Sequence, residues 1–257
     1  MNSQSELERI TNLLLDISSM LMVSGANTNR VNLSINRFAS VLDCSTYSMI
    51  SHKTFIMTVT DDLTNQTFTK VQSIPTYVIN FHIISAISKA SWNAINNNWT
   101  IKQIEDEIIK IKNLKRYHYL IVLVAVSFAG AGFCKIFGGD YANMLVAFIS
   151  TFFGLIFVQK THTLNFNVYI RIFLGSFFAS TIASLSVIFQ IGDHPESALA
   201  TSILFLVPGV ALINSFTDLL DNNILNGMVR FTTGLMTVMA IALGLFTAMI
   251  IFQINMK

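Results

Sequence analysis

The fold is decided by the stretch YHYLIVLVAVSFAGAGFC, residues 117–134, which contains no Asp, Glu, Lys or Arg. An α-helix rises about 1.5 Å per residue, so a helix of this length nearly crosses a hydrocarbon layer about 30 Å thick. A helix that is apolar on all sides is not suited to the surface of a soluble domain. The stretch therefore predicts a membrane-spanning helix.

Four later stretches are equally apolar and are separated by short connections that contain Gly, Pro or polar residues. They cover residues 141–158, 168–191, 198–216 and 229–254. Together with residues 117–134, they predict a transmembrane domain over residues 117–257. We expect this domain to cross the lipid bilayer five times as an α-helical bundle.

Composition excludes several classes of protein. Only 12% of the 257 residues are charged, whereas about 25% are charged in an ordinary soluble domain. The net charge of +2 comes without a stripe of Lys and Arg, so we expect no nucleic-acid partner. Cys44 and Cys134 are far apart, and the five His residues show no metal-binding spacing. We therefore predict no metal site, no cofactor and no catalytic residue.

Positive charge predicts the orientation of the bundle. Most Lys and Arg residues near the spans fall on one side, which faces the cytoplasm by the positive-inside rule. These are Lys110, Lys112, Lys115, Arg116, Lys160, Arg171 and Arg230. Lys135 and Lys257 fall on the other side. We expect the N-terminal domain in the cytoplasm and the C-terminus outside, since the N-terminus also lacks the pattern of a signal peptide.

Residues 1–116 predict a separate α+β domain. Apolar residues spaced three and four apart predict two helices that meet at Gly25. Runs of β-branched and aromatic residues predict a small antiparallel sheet. These runs cover residues 47–50, 54–60 and 66–71.

Two further helices are expected before the first span. Pro75 is expected to open a helix that continues to about Asn96. Thr100 and Gln103 form a capping box for the next helix, which is expected to end near Lys115 and to lead directly into the first span.

Polar and helix-breaking residues gather around the fourth span. Pro208 and Gly209 predict a discontinuous helix, whose free backbone groups would contact a substrate, or else a simple kink. Beyond the break, Asn214, Asp218 and Asp221 share one helix face. This face is expected either to receive a substrate amine or to be an ordinary solvated surface.

Two arginines lie near the ends of spans. Arg230 is expected to hold a substrate carboxylate, to pair with Asp218 or Asp221, or to act as a positive-inside anchor. Arg171 is favoured as a snorkelling anchor, with carboxylate binding as the alternative. Small residues at four-residue spacing predict helix packing within the bundle or a seam with a second protein. They are Gly175, Ala179 and Ala183, and Ala240, Gly244 and Ala248.

Two segments carry a more specific pattern. The first is SGANTNRV, residues 24–31. The second begins with FLVPGV, residues 205–210, and continues through Asn214, Asp218-Leu219-Leu220, Asn222 and Gly227 to Arg230. Together they resemble the two signatures of the threonine/serine exporter family. The chain departs from the family pattern at Asn32, where Glu is frequent, and around Lys70.

The resemblance implies a cytoplasmic domain followed by five spans, with a second block of spans supplied by a separate small membrane protein. It also implies a cytoplasmic motif and a substrate path. The cytoplasmic motif is Gly25, Thr28 and Arg30. The substrate path is Pro208, Gly209, Asn214, Asp218, Asp221, Asn222 and Arg230.

We therefore expect a component of a bacterial exporter in the cytoplasmic (inner) membrane. The resemblance implies small polar substrates, either threonine/serine-type amino acids or dicarboxylates such as succinate, and a homo- or hetero-oligomer that includes the second membrane subunit. The alternative is a membrane-anchored, hydrolase-like enzyme with a catalytic cytoplasmic domain. Transport without enzymatic activity is favoured because the specific polar residues gather around residues 208–230 and not in that domain.

Overall fold

The structure is a computed structural model that describes residues 3–51, 53–75, 79–115, 117–162 and 166–254. Arg116 and Lys257, which contributed to the orientation argument, lie outside these residues. The chain divides into two compact units. The first consists of Met1–Lys115 and Val210–Thr232, and the second consists of Arg116–Gly209 and Thr233–Lys257. The sequence did not indicate that residues 210–232 belong with the N-terminal part.

Among the described residues, the N-terminal part of the first unit contains four helices and three strands. They are α1 Ser3–Val23, α2 Thr28–Val41, β1 Cys44–Ile50, β2 Thr54–Asp61, β3 Thr67–Ser73, α3 Phe81–Asn97 and α4 Ile101–Lys112. Fully buried apolar residues on α1 and α2 recur three and four apart, which confirms the two predicted helical stripes. They include Leu14, Ile17 and Leu21 on α1, and Val31, Ile35 and Phe38 on α2.

The strands form the predicted antiparallel sheet in the order β1-β2-β3. Tyr47 pairs with Thr58, and Thr58 pairs with Thr69. On β2, Phe55, Met57 and Val59 are buried in the same core as α1 and α2. Alternate residues of a strand point to opposite faces, so this sheet packs one face against the helices.

The two later helices are shorter than predicted. α3 begins at Phe81 and not at Pro75, because Asn80 caps the helix by accepting hydrogen bonds from the N–H groups of residues 82 and 83. The predicted capping box of α4 is present, with the Thr100 N–H donating to Gln103 Oε1 over 2.8 Å. α4 ends at Lys112, so it does not continue directly into the first span.

In the part of the chain that the structure describes, four helices are long and apolar enough to cross a membrane, and a bent helix pair makes a fifth candidate if it forms one span. The four are α5 Tyr119–Ile136, α6 Tyr141–His162, α7 Val168–Ile188 and α10 Ile224–Ile251. The fourth predicted span is broken into α8 Pro195–Thr201, a 3₁₀ turn at Leu204–Leu206 and α9 Gly209–Leu220. The helical segments on either side of Pro208 are bent by 63°.

Small residues bring helices of the second unit into close contact. A Cβ added to Gly244 on α10 would lie 2.5 Å from the carbonyl oxygen of Phe173 and 2.8 Å from the backbone nitrogen of Phe177, both on α7. A Cβ added to Gly154 on α6 would lie 2.8 Å from Ala179 on α7. Both predicted ridges of small residues therefore pack within this chain.

Two connections of the second unit are held together by Asp140. Its carboxylate accepts hydrogen bonds from the N–H groups of Asn143 and Asp193, over 2.8 and 3.0 Å. These backbone donors hold the pKa of Asp140 below its ordinary value. The side chain of Asn143 also donates to the carbonyl of Ile191. The connection after α5 is thereby tied to the connection between α7 and α8.

Candidate functional site

The chain passes from α1 to α2 through a turn of defined geometry. Gly25 has a φ of +92°, which residues with a side chain rarely adopt. The N–H of Gly25 donates a hydrogen bond to the Met22 carbonyl over 3.1 Å, and the N–H of Ala26 donates one to the Leu21 carbonyl over 3.0 Å. These are the two hydrogen bonds of a Schellman cap, so the backbone requires glycine at the end of α1.

α2 begins directly after this turn, and two of its first N–H groups are capped by side chains. Asn27 Oδ1 accepts a hydrogen bond from the N–H of Arg30, over 2.8 Å. The N–H of Thr28 donates to Asp218 Oδ1, also over 2.8 Å. The first N–H groups of a helix have no hydrogen-bond acceptor within the helix. At α2, one of these acceptors is the carboxylate of Asp218, which lies 190 positions further along the chain.

Three other side chains from α9 and α10 bind the same turn. Their contacts are Asn214 Nδ2 to the Gly25 carbonyl (2.7 Å), Arg230 Nη2 to the Ala26 carbonyl (2.8 Å) and Asn226 Nδ2 to Thr28 Oγ1 (3.1 Å). We define the polar junction as residues 25–28 together with Asn214, Asp218, Asn226 and Arg230. All of these residues belong to the first unit.

Asp218 and Arg230 form a buried ion pair within the junction. Arg230 Nε lies 3.3 Å from Asp218 Oδ2, and the exposed fractions of the two side chains are 8% and 0%. Removing two charges from water is costly unless hydrogen bonds complement both groups. Here the Thr28 N–H complements the carboxylate, and the Ala26 carbonyl complements the guanidinium. The second carboxylate oxygen, Asp218 Oδ2, faces Arg230 Nε and has no hydrogen-bond partner among the described residues.

The spacing of the polar residues places them on one face of each helix. Asn214 and Asp218 are four positions apart on α9, and Asn226 and Arg230 are four positions apart on α10. Residues at this spacing lie one above the other on a helix. Each helix thus presents an amide and a charged group to the turn.

A tight connection joins α9 to α10. Asn222 adopts a φ of +62°, and the N–H of Asn223 donates to the Asp218 carbonyl over 2.7 Å. A Cβ added to Gly227 would lie 2.6 Å from Leu219 Cγ, so glycine allows the two helices to approach. This hairpin sets the separation between Asp218 and Arg230.

The junction includes five of the residues singled out in the sequence. They are Gly25, Thr28, Asn214, Asp218 and Arg230. Of the options for Arg230, the structure shows pairing with Asp218. The alternative that this helix face is an ordinary solvated surface does not hold for Asp218, because its side chain is fully buried. Asp221 and Asn222 are exposed instead, and the exposed Arg30 borders a groove between α2 and α3.

Sequence reasoning missed Asn226. An amide at the start of an apolar helix, one turn before Arg230, was the available signal. It could not identify Thr28 as the partner, because the contact joins residues 198 positions apart.

Pro208 and Gly209 belong to the second unit. Pro208 directly precedes α9, and Gly209 is the first residue of that helix. A Cβ added to Gly209 would meet no atom within 4 Å among the described residues. The second unit also contains three buried hydroxyl groups that have no hydrogen-bond partner in the part of the chain that the structure describes. They belong to Thr151, Ser180 and Ser184. Arg171 Nε likewise has no such partner there, which leaves its predicted role untested.

Comparison with known proteins identifies the family. The sequence profile of the family described as "Putative threonine/serine exporter" matches residues 12–252. The chain belongs to this family. The match confirms the resemblance inferred from residues 24–31 and 205–230, and these are the segments that meet in the polar junction.

Two curated relatives match the chain over almost their whole length. The chain is 26% identical over 248 residues to the "Probable succinate transporter subunit YjjP" of Klebsiella aerogenes, covering 96% of this chain and 95% of the relative. It is 25% identical over 255 residues to the protein of the same description in Escherichia coli K12, covering 98% of each chain. No solved structure matches the chain.

Membership of the threonine/serine exporter family makes the chain a component of a membrane exporter. The helices that could cross a membrane agree with this function. The alternative of a membrane-anchored enzyme is not supported by the comparisons. The substrate path predicted from the sequence stays a prediction.

We expect Asp218→Asn to destabilise the first unit, because it leaves the buried Arg230 without its counter-charge. Removing one partner of a buried pair costs about 3–5 kcal/mol. Trp92 and Trp99 both lie in the first unit, so thermal unfolding of the purified full chain can be followed by their fluorescence.

Asp221→Asn is the matched control, since it removes the same charge from an exposed position on the same hairpin. Its effect should stay within about 0.5 kcal/mol. Equal melting temperatures for the Asp218 and Asp221 variants would contradict a stabilising ion pair.

Proposed function

We propose that this chain is one of two membrane subunits of an exporter in the bacterial cytoplasmic membrane, and that the exporter moves small dicarboxylates such as succinate out of the cell. The observation that carries this proposal is the near full-length similarity to two proteins described as succinate transporter subunits. The second candidate substrate class is threonine/serine-type amino acids, which the family description favours. The proposed partner is a second small multi-span protein of the same family.

The proposed orientation places the N-terminal domain in the cytoplasm and the C-terminus outside. The positive charges Lys115 and Arg116, which follow α4, and Lys160, in the last turn of α6, support it. In this orientation, Asp221 and Asn222 lie at the cytoplasmic mouth of the substrate path.

The proposed substrate path passes the break at Pro208 and Gly209. A helix that starts inside a transporter directs unpaired N–H groups and positive dipole charge toward an anionic substrate. α9 starts at Gly209, where no atom of the described residues lies within 4 Å of an added Cβ.

The proposed role of the polar junction is to connect the N-terminal domain to the helices of the path. Asn214, Asp218 and Arg230 all bind the turn between α1 and α2. A substrate carboxylate can pair with Arg230 only if it replaces Asp218 or adds to it. Opening of the junction would therefore break the contacts with the turn between α1 and α2, and it would also free the charge of Arg230 to pair with a substrate carboxylate.

Transport is expected to need the second subunit. Cells that make this chain alone should export no preloaded succinate, whereas cells that also make the partner should export it. The same assay with threonine and serine separates the two substrate classes. Efflux by the purified single chain in liposomes would contradict the two-subunit proposal.

Gly209→Val is expected to reduce efflux about tenfold or more. The valine side chain would occupy space in the proposed path, and a steric cost of a few kcal/mol for the passing substrate has an effect of that size. Because no atom of the described residues lies within 4 Å of an added Cβ at Gly209, the variant should still fold and insert. Gly132→Val is the control, since Gly132 lies in α5 and also has no atom within 4 Å of an added Cβ among the described residues. Efflux must be compared at equal amounts of membrane protein. Wild-type efflux by the Gly209 variant would place the path elsewhere.

A further inference from the structure

A groove between α2 and α3 carries only positive charge. Arg30 and Arg37 are two turns apart on α2, and Lys89 lies on α3. Neither helix contains an Asp or Glu residue. The flanking sequence is equally free of acids over residues 17–42 and 63–104. We call this surface, formed by Arg30, Arg37, Ser88, Lys89 and Trp92, the basic groove.

The groove contains two adjoining cavities. One of about 580 Å³ is bordered by Arg30, Lys89 and Trp92, and one of about 290 Å³ by Arg30, Arg37 and Trp92. Ser88 borders both cavities and offers a hydroxyl group. Small-molecule sites in proteins have volumes of about 300–1,000 Å³, so the space suits a metabolite.

The cations of the groove are not neutralised by any carboxylate of the described residues. Within the described residues, Arg30, Arg37 and Lys89 form no ion pair. Arg37 is oriented by neutral groups, because its guanidinium lies 4.0 Å from the centre of the Trp92 ring and 3.5 Å from Ser91 Oγ. An arginine fixed in this way loses less conformational entropy when it binds a carboxylate or phosphate.

A second groove of the first unit provides an internal comparison. It lies between α1 and α4, has a volume of about 700 Å³ and also contains several Lys and Arg residues. There, Arg9 pairs with Glu105, and Lys112 pairs with Asp16. The positive charge is thus balanced in that groove, whereas in the basic groove it remains available.

We propose that the basic groove binds a soluble metabolite with at least two negative charges. Two guanidinium groups and one ammonium group match such a ligand, since guanidinium binds carboxylates and phosphates through paired hydrogen bonds. None of the five residues that define the basic groove belongs to the proposed substrate path, and occupancy of the groove can be measured without transport. It also assigns a role to Arg30, which lies in the family signature but outside the polar junction.

The test is a fluorescence titration of the full chain in phosphatidylcholine vesicles. Trp99→Phe leaves Trp92 as the only tryptophan, and Trp92 borders both cavities. Succinate and inorganic phosphate are the probes, acetate is the singly charged comparison, and ionic strength is held constant. We expect a saturable change with both dianions and a much weaker response to acetate.

Arg30→Gln and Lys89→Gln should each weaken binding about tenfold or more, because each removes a charged hydrogen-bond donor. Lys102→Gln, in the charge-balanced groove, should change the affinity less than twofold. The proposal is overturned if neither dianion gives a saturable signal, if acetate binds equally well or if the Gln variants match the Lys102 control. It is also overturned if a response appears only in vesicles that contain phosphatidylglycerol, since the groove would then bind lipid.

Discussion

The first unit depends on the pairing of two buried charges, Asp218 and Arg230. Neither group can be left alone in this environment, because an unpaired buried charge costs several kcal/mol. Each group therefore needs the other and also needs a backbone partner, which the turn after α1 supplies through Thr28 and Ala26. This requirement explains why residues 210–232 belong to the same compact unit as the N-terminal part of the chain. It also explains why the two family signatures act together. The second signature supplies the charged side chains of Asp218 and Arg230, and the first supplies the backbone groups of Thr28 and Ala26 that bind them.

Several features could be predicted from local sequence. Continuous apolar stretches identified the membrane helices, the spacing of apolar residues identified α1 and α2, and Pro208 marked a real break. These features depend on the composition and periodicity of short segments, and both are visible in one sequence. The start of α3 was placed too early because Pro75 was taken as the first residue of a helix, whereas the cap at Asn80 sets its beginning.

The polar junction was only partly predictable. The helix face formed by Asn214 and Asp218 could be recognised, and Asp218 was one of two acids considered for Arg230. The choice between Asp218 and Asp221 depends on the α9–α10 hairpin, and the binding of Thr28 depends on tertiary structure. An acid near the end of an apolar helix is usually solvated, so the burial of Asp218 could not be inferred from its position. The basic groove was missed because its charges come from two helices whose packing the sequence does not specify.

Hydrogen exchange at residues 24–31 tests the role of Asp218 most directly. In the wild-type protein, the Thr28 N–H should be protected because it donates to the buried carboxylate. Asp218→Ala should accelerate exchange in this segment more than in the β2 strand, whose exchange changes only with the stability of the whole first unit. The Asp221→Ala variant should show the wild-type pattern. Unchanged protection of residues 24–31 in the Asp218 variant would contradict the claim that this carboxylate holds the turn.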